Sequence, residues 1–195
     1  MPSVCLYFQV HQPYRLRKFS FFEAGSGSKY FDEGLDELVM KRVADRCYLP
    51  ANKVIKECIA RLGERYKVAF SLTGTAVEQM RCYAPKALDS FRELANTGQV
   101  EFLAETYYHS VASLFSESEF RRQVELHRSF IRAEFGRETA VFRNTELLYS
   151  NDIARVAHSL GFSGIVAEGV DAVLGWRTPN VIFEAAGAKI PLILR

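Results

Sequence analysis

Carboxylates, histidines and aromatic rings recur in this sequence at one kind of place, directly behind short apolar runs. Val4 to Val10 leads into His11-Gln12-Pro13, and Lys67 to Leu72 closes on Ser71-Leu72-Thr73. Val100 to Ala104 leads into Glu105, Tyr107, Tyr108 and His109, and Thr139 to Phe142 leads into Arg143-Asn144-Thr145-Glu146. Ile165 to Ala167 leads into Glu168 and Asp171, with Trp176 close behind. Gathered on one rim, these residue types suit a sugar. Carboxylates supply acid, base or nucleophile, and aromatic faces stack on the C–H surface of a pyranose. Singly, each has a plainer reading. His11 can cap a strand, Glu146 can pair with Arg143, Glu168-Gly169 can be an exposed turn, and Trp176 can cover a core edge. Glu101 alternates with Val100 and Phe102, so it faces solvent or a barrel interior. In an interior its charge must be paired or functional. Shared position, more than any one residue, marks a site.

No spacing of His, Cys or Asp marks a metal centre. Only His11 and His109 with a carboxylate, brought together across strands, would offer donors. No metal and no other cofactor is expected. His127 and His158 fall in helical patterns and read as packing or surface residues. Cys5, Cys47, Cys58 and Cys82 are widely spaced, without a Cys-x-x-Cys pair, and are expected to be buried, reduced thiols. The 25 basic and 23 acidic side chains leave a net charge of +2, so charge gives no reason to expect nucleic acid or a membrane as partner. Val4 to Val10 is too short to cross a bilayer and has no basic, apolar leader before it. The expected location is cytoplasmic.

The elements that would position these residues alternate. Strands are expected at Val4 to Val10, Lys67 to Leu72, Val100 to Ala104, Thr139 to Phe142, Ile165 to Ala167 and Lys189 to Leu194. Helices are expected from Leu35 to about Tyr48, from Ala51 to Leu62 behind Pro50, from Thr75 to Asn96 with a break at Pro85, from Glu119 to Phe135, and from Asp152 to Leu160. Phe120, Val124, Ile131 and Phe135 share one helical face, closed by Gly136. Alternating strands and helices predict an α/β fold with a parallel sheet or barrel, with about six strands against the eight of a complete barrel. In such folds the site lies at the carboxyl ends of the strands. The loop Tyr14 to Phe31 is long, mixing aromatic residues with Gly and Ser, and its length predicts a functional or mobile segment. The chain ends in Ala-Lys-Ile-Pro-Leu-Ile-Leu-Arg, an apolar run of strand character, which predicts a truncated barrel with an open, association-prone edge at Lys189 to Leu194.

Three segments resemble motifs of glycoside hydrolase family 57, the α-amylase-like group. Phe8-Gln9-Val10-His11-Gln12-Pro13 is similar to the first, a strand ending in His-Gln-Pro. Gly98-Gln99-Val100-Glu101-Phe102 is similar to the second and runs on to His109-Ser110. Phe142-Arg143-Asn144-Thr145-Glu146-Leu147 is similar to the third, which carries the nucleophilic glutamate. The segments Glu168 to Asp171 and Leu174 to Arg177 also resemble the group. The resemblance covers residues 1–195 as the N-terminal part of a catalytic domain. It implies a partial (β/α)7-type barrel acting on α-glucans or maltooligosaccharides, such as starch or glycogen, with retention. By motif position Glu146 would be the nucleophile, and His11, Gln12, Glu101, His109, Glu168 and Trp176 would bind substrate. Two departures stand out. Gln9 occupies the place where many members carry a further histidine, and the fourth motif, with the acid/base aspartate, is absent.

Retention requires two carboxyl groups about 5–5.5 Å apart, one attacking the anomeric carbon and one protonating the leaving oxygen. Glu146 suits the first role. Glu105 and Asp171 are the in-chain nominees for the second, behind a residue outside this chain. A 4-α-glucanotransferase or branching enzyme of the same family fits the same motifs. A metal-dependent, polysaccharide deacetylase-like barrel would need an Asp-Asp pair behind the first strand and a His-x-x-x-His, and neither is present. A non-catalytic glucan-binding fragment is the remaining alternative.

Overall fold

The computed structural model describes residues 4–23, 25 and 30–195. The chain divides into two units, one of residues 1–10, 67–74 and 100–195, the other of residues 11–66 and 75–99.

The first unit holds a series of short strands. β1 (Tyr7–Val10), β2 (Val68–Leu72) and β3 (Val100–Phe102) are parallel neighbours in that order. A parallel bridge, Ala104 to Phe142, joins β3 to β4 (Val141–Arg143), which pairs with β5 (Gly164–Ala167). β7 (Pro191–Leu194) lies beside β5, and the two-residue β6 (Phe183–Glu184) runs antiparallel on its far side. The fold is α/β, a partial barrel of six parallel strands with one antiparallel addition. α5 (Glu117–Phe135), α6 (Asn151–Ser159) and the short α7 (Asp171–Leu174) fill the connections.

Strand alternation explains how this unit packs. Ala104, Phe142, Ile165, Ala167 and Leu192 point to one face and form a core with Phe120 and Val124 of α5 and Ile153, Ala154 and Ala157 of α6. Leu103 and Val166 point to the other face, where Tyr7, Ala69 and Val141 join them. Strands apolar on both faces are the mark of a parallel sheet covered on both sides. Two residues further along, the same inward phase turns polar, with Gln9, Ser71, Glu105, Arg143 and Glu168 in turn. Hydrophobic alternation thus aims a ring of polar side chains at the carboxyl ends. α5 is set by its ends, with the Ser116 hydroxyl accepting from the Glu119 amide and Gly136 turning left-handed at φ 63°.

The second unit is helical. α1 (Glu33–Val43) starts at Asp32, whose carboxylate accepts from the Leu35 amide. It continues through a π turn, Ala44–Tyr48, into α2 (Leu49–Leu62) without a break. Two separate helices were expected here. The wider turn comes just before Pro50, whose ring and missing N–H would interrupt ordinary helical geometry. α3 (Gly74–Tyr83) and α4 (Pro85–Asn96) part at Ala84, where the proline predicts it. Tyr48 and Phe91 rings lie 5.8 Å apart, and Asn52 donates to Ser90 at 2.8 Å, tying α2 to α4. The Tyr14 to Phe31 loop is closed by an antiparallel bridge between Leu16 and Phe31. Its residues 24 and 26–29 lie outside the described residues.

Two expectations need correction. β7 is not an open edge, because Phe183 and Glu184 fold back on it, with the Ala185 amide donating to the Ile190 carbonyl at 3.0 Å. The cysteines are free but not buried. Cys5, Cys47 and Cys82 are exposed and Cys58 is half-buried. The neighbours of Cys82 are the explanation there: Val77 and Met80 take the buried face of α3. Among the described residues no helix is long and apolar enough to cross a membrane.

Candidate active site

Glu105, the residue directly after the bridge that joins β3 to β4, is fully buried and accepts two side-chain hydrogen bonds. The Ser71 hydroxyl donates to its Oε1 at 2.6 Å, and His109 Nδ1 lies 2.9 Å from its Oε2. His109 Nε2 lies 3.0 Å from Glu146 Oε1. The same nitrogen is 3.1 Å from the amide nitrogen of Gln9, whose carbonyl oxygen accepts from Arg143 Nη2 at 2.8 Å. Five side chains from behind or within β1, β2, β3 and β4 thus converge, counting Gln9, Ser71, Glu105, His109 and Arg143, and Glu146 completes the group.

The backbone is bent to make this meeting. Among the described residues four non-glycines have positive φ, and three of them are His109 (56°), Glu146 (51°) and Leu147 (57°). A side chain in this region costs on the order of 1 kcal/mol, so it persists only where surrounding structure enforces it. Here the short turn Thr145–Leu147 is anchored from both ends. Thr145 and Thr106 share a hydroxyl hydrogen bond of 2.8 Å, and Leu147 is buried against Leu103 and Val166. The turn swings Glu146 outward, leaving its side chain 70% exposed while its neighbours are covered.

Electrostatics follow from burial and pairing. Burial would raise the Glu105 carboxyl, but the hydrogen bonds from His109 and Ser71 and the charge on His109 outweigh it and hold it below the ordinary glutamate value. Burial would lower His109, yet Glu105 and then Glu146 hold it above the ordinary histidine value. His127, fully buried on α5, is pushed down by desolvation. Its Nε2 donates to the Leu72 carbonyl at 2.7 Å and its Nδ1 accepts from the Glu105 amide at 3.4 Å, which is the pattern of a neutral ring. Arg143 is also buried; its Nη1 lies 4.0 Å from Glu105 Oε2, and its Nε and Nη1 make no hydrogen bond among the described residues.

Of the residues singled out from sequence, His109 and Glu146 are brought together. Glu101 is not with them. It sits four residues before Glu105 in the same inward phase, about 13 Å back along an extended chain. It lines a cavity of about 620 Å³ with Tyr7, Ala69, Leu103, Val141 and Val166 among its walls. Partial burial pushes its carboxyl up, against the pull of Lys67. His11 and Gln12 open the second unit directly behind β1. Gln12 is tied within that unit, its side-chain oxygen accepting from Arg15 at 2.7 Å and its carbonyl from Gln79 at 2.8 Å. Glu168 follows β5 and pairs with Arg195 at 2.9 Å. Trp176, just past the glycine that ends α7, is 94% exposed. Sequence reasoning did not assign roles to Gln9, Ser71, Arg143 or His127. For the first three the signal was available, since each takes the last inward position of its strand. Among the described residues no three His, Cys, Asp or Glu side chains are placed to hold a metal ion.

Comparison with known proteins bears on this geometry. The model of glycosyl hydrolase family 57 matches residues 5–195. A Methanocaldococcus jannaschii protein named "Putative alpha-amylase" is 44% identical over 189 residues, which are 95% of this chain and 40% of that protein. The crystal structure of 4-alpha-glucanotransferase from Thermococcus litoralis superposes with a TM-score of 0.72 at 18% identity, covering 97% of this chain and 27% of that one. The branching enzyme of Pyrococcus horikoshii gives 0.66 at 14% identity, covering 98% of this chain and 46% of that one. The chain therefore spans less than half the length of each of these relatives. With one family model running through all seven strands, and with a close relative along nearly the whole chain, the chain belongs to glycosyl hydrolase family 57.

Proposed function

We propose that the whole protein is a retaining, α-amylase-type glycoside hydrolase that cleaves α-glucans such as starch or glycogen in the cytoplasm, with Glu146 as nucleophile. One observation carries this reading: Glu146 is an exposed carboxylate at the carboxyl ends of the parallel strands, on a strained turn, with one oxygen fixed by His109. A carboxylate so held can attack the anomeric carbon through its other oxygen. The C1–O bond to the leaving chain breaks, a glycosyl ester forms on Glu146, and water then releases the sugar with net retention. Glu105 is a poor candidate for the leaving-group acid, being fully buried and held as a carboxylate. The acid/base group is assigned to a residue outside these 195, consistent with a relative of which the chain spans 40%. His11, Gln12, Glu168 and Trp176 are proposed to contact the glucan, with the open face of Trp176 suited to stacking on a pyranose.

The test uses the protein at the full length its gene encodes. An activated 5-fluoro-α-glucosyl fluoride, which needs little protonation to leave, should trap an adduct that peptide mapping places on Glu146. Glu146→Gln should bind maltooligosaccharide while losing roughly three orders of magnitude or more in turnover. An adduct on another carboxylate, or a Glu146→Gln variant with substantial amylase activity, would refute the assignment.

A further inference from the structure

His109 Nε2 faces two partners that ask opposite things of it. Toward Glu146 Oε1, at 3.0 Å, it must carry a proton and donate. Toward the Gln9 amide, at 3.1 Å, it must lack one and accept. The Gln9 amide cannot turn round to resolve the conflict without loss, because its oxygen already accepts from the buried Arg143 at 2.8 Å. Nδ1 is committed in either state, since Glu105 Oε2 at 2.9 Å is a fully buried acceptor. One imidazole nitrogen therefore has two mutually exclusive hydrogen bonds, chosen by its proton.

We propose that Glu105 and His109 are positioning residues for the nucleophile, with His109 acting as a proton-dependent bridge. As imidazolium it donates to both Glu105 and Glu146 and holds the Glu146 carboxylate in place for attack. As neutral imidazole it turns its Nε2 lone pair to Gln9 and releases Glu146. This rests on the reading of Glu146 as nucleophile. Neither residue touches the reacting atoms, so both act through Glu146.

The charged and titratable groups facing His109 come from several elements. Glu105 behind β3 and Glu146 behind β4 favour the imidazolium, and Arg143 on β4 opposes it. His127 on α5 is neutral and turned to the Leu72 carbonyl, and Gln9 and Ser71, on β1 and β2, carry no charge. The balance lies toward the proton. Because His109 is held above the ordinary histidine value, the bridge is present below that raised value and is lost as pH rises through the raised value. It should therefore set the alkaline limb of the glycosylation rate. Gln9 stabilises the neutral ring, so it holds that limb down, whereas Glu105 holds it up.

The experiment follows the rate of Glu146 labelling by 5-fluoro-α-glucosyl fluoride against pH, in the full-length protein and three variants. Glu105→Gln removes a buried carboxylate beside the ring and should move the alkaline limb down by about 1–3 pH units. Gln9→Glu keeps an acceptor for Arg143 but replaces the amide donor with a carboxylate, and should move the limb up. His109→Asn keeps a residue that tolerates left-handed backbone, and should slow labelling about 10- to 100-fold and abolish the limb. Maltooligosaccharide affinity of Glu105→Gln, changed at a fully buried position, should stay within about threefold of wild type. If Glu105→Gln does not fold, Gln9→Glu and His109→Asn, at less buried positions, carry the test. Labelling that slows with an unmoved limb would mean a structural role only and would overturn the bridge. Labelling of His109→Asn at the wild-type rate would do the same. A label on another carboxylate in wild type would instead overturn the proposed function, and this inference with it.

Discussion

Ser71→Ala isolates one bond of the site and gives it a pH signature. The Ser71 hydroxyl donates to Glu105 Oε1 at 2.6 Å, and both residues are fully buried. The substitution removes one oxygen and little volume, so packing changes little. What it leaves is a carboxylate oxygen that water cannot reach. A hydrogen bond to a charged group contributes about 1.5–3 kcal/mol, and burial places this one toward the upper end. The sign with pH follows from Glu105, whose folded-state value is below its ordinary one. A depressed carboxyl stabilises the fold fully above its unfolded value, about 4.3, and that stabilisation is lost as pH falls through the folded value. Without the Ser71 donor the Glu105 carboxyl rises and less stabilisation remains to lose. Urea unfolding followed by circular dichroism should show Ser71→Ala less stable by about 2 kcal/mol at pH 7, with the gap narrowing at pH values below about 4. The exposed Trp176 would report little of this. A gap under about 0.5 kcal/mol at pH 7, or one that does not change with pH, would refute the picture of a carboxylate held ionised by its neighbours.

Two further substitutions test the frame of the site. A Cβ added at Gly74 would meet the Tyr107 ring at 2.2–2.4 Å, and the Gly74 amide already donates to the Tyr107 carbonyl at 2.9 Å. Gly74→Ala should therefore lower the melting temperature, because overpacking at about 1–3 kcal/mol outweighs a helix-propensity gain of about 1 kcal/mol. An unchanged or higher melting temperature would show that the ring moves freely. Phe142 is fully buried, with the rings of Phe120 and Phe162 at 5.7 and 5.4 Å. Phe142→Ala should cost about 3–5 kcal/mol in urea unfolding, and a loss below about 1 kcal/mol would count against this core.

The parallel strands were legible because each is a short apolar run on both faces, a pattern that depends on few residues. β6 was not, since Phe183 and Glu184 are too few to show a period and their place is set by pairing with β7. α7 fails for the same reason, with four residues and a glycine close behind. At the site, Glu146 and His109 could be found from their place behind a strand. Their left-handed backbones could not, because neither is a glycine or asparagine and only the surrounding packing enforces the turn. Glu101 was misplaced relative to the others because a motif is read along the chain, whereas four residues of extended strand carry it toward the far end of the unit. Gln9 was visible as a departure from the family pattern and by its inward place in β1, but its partners were not. Its partners, His109 and Arg143, lie 100 and 134 residues away.

The way the two units share the chain also bears on how the molecule is made. The helical unit consists of residues 11–66 and 75–99, so it is complete once Gln99 has been synthesised. By then the strand unit has only β1 and β2, a pair that cannot bury its faces alone. At about 5–20 residues per second, roughly 100 further residues take about 5–20 s to emerge. During that interval Phe70 and Leu72, both buried in the folded protein, have no β3 or α5 beside them. The helical unit forms fast, as helical units do. The strand pair on which Gln9 and Ser71 meet is thus the part of the strand unit that waits longest for its cover.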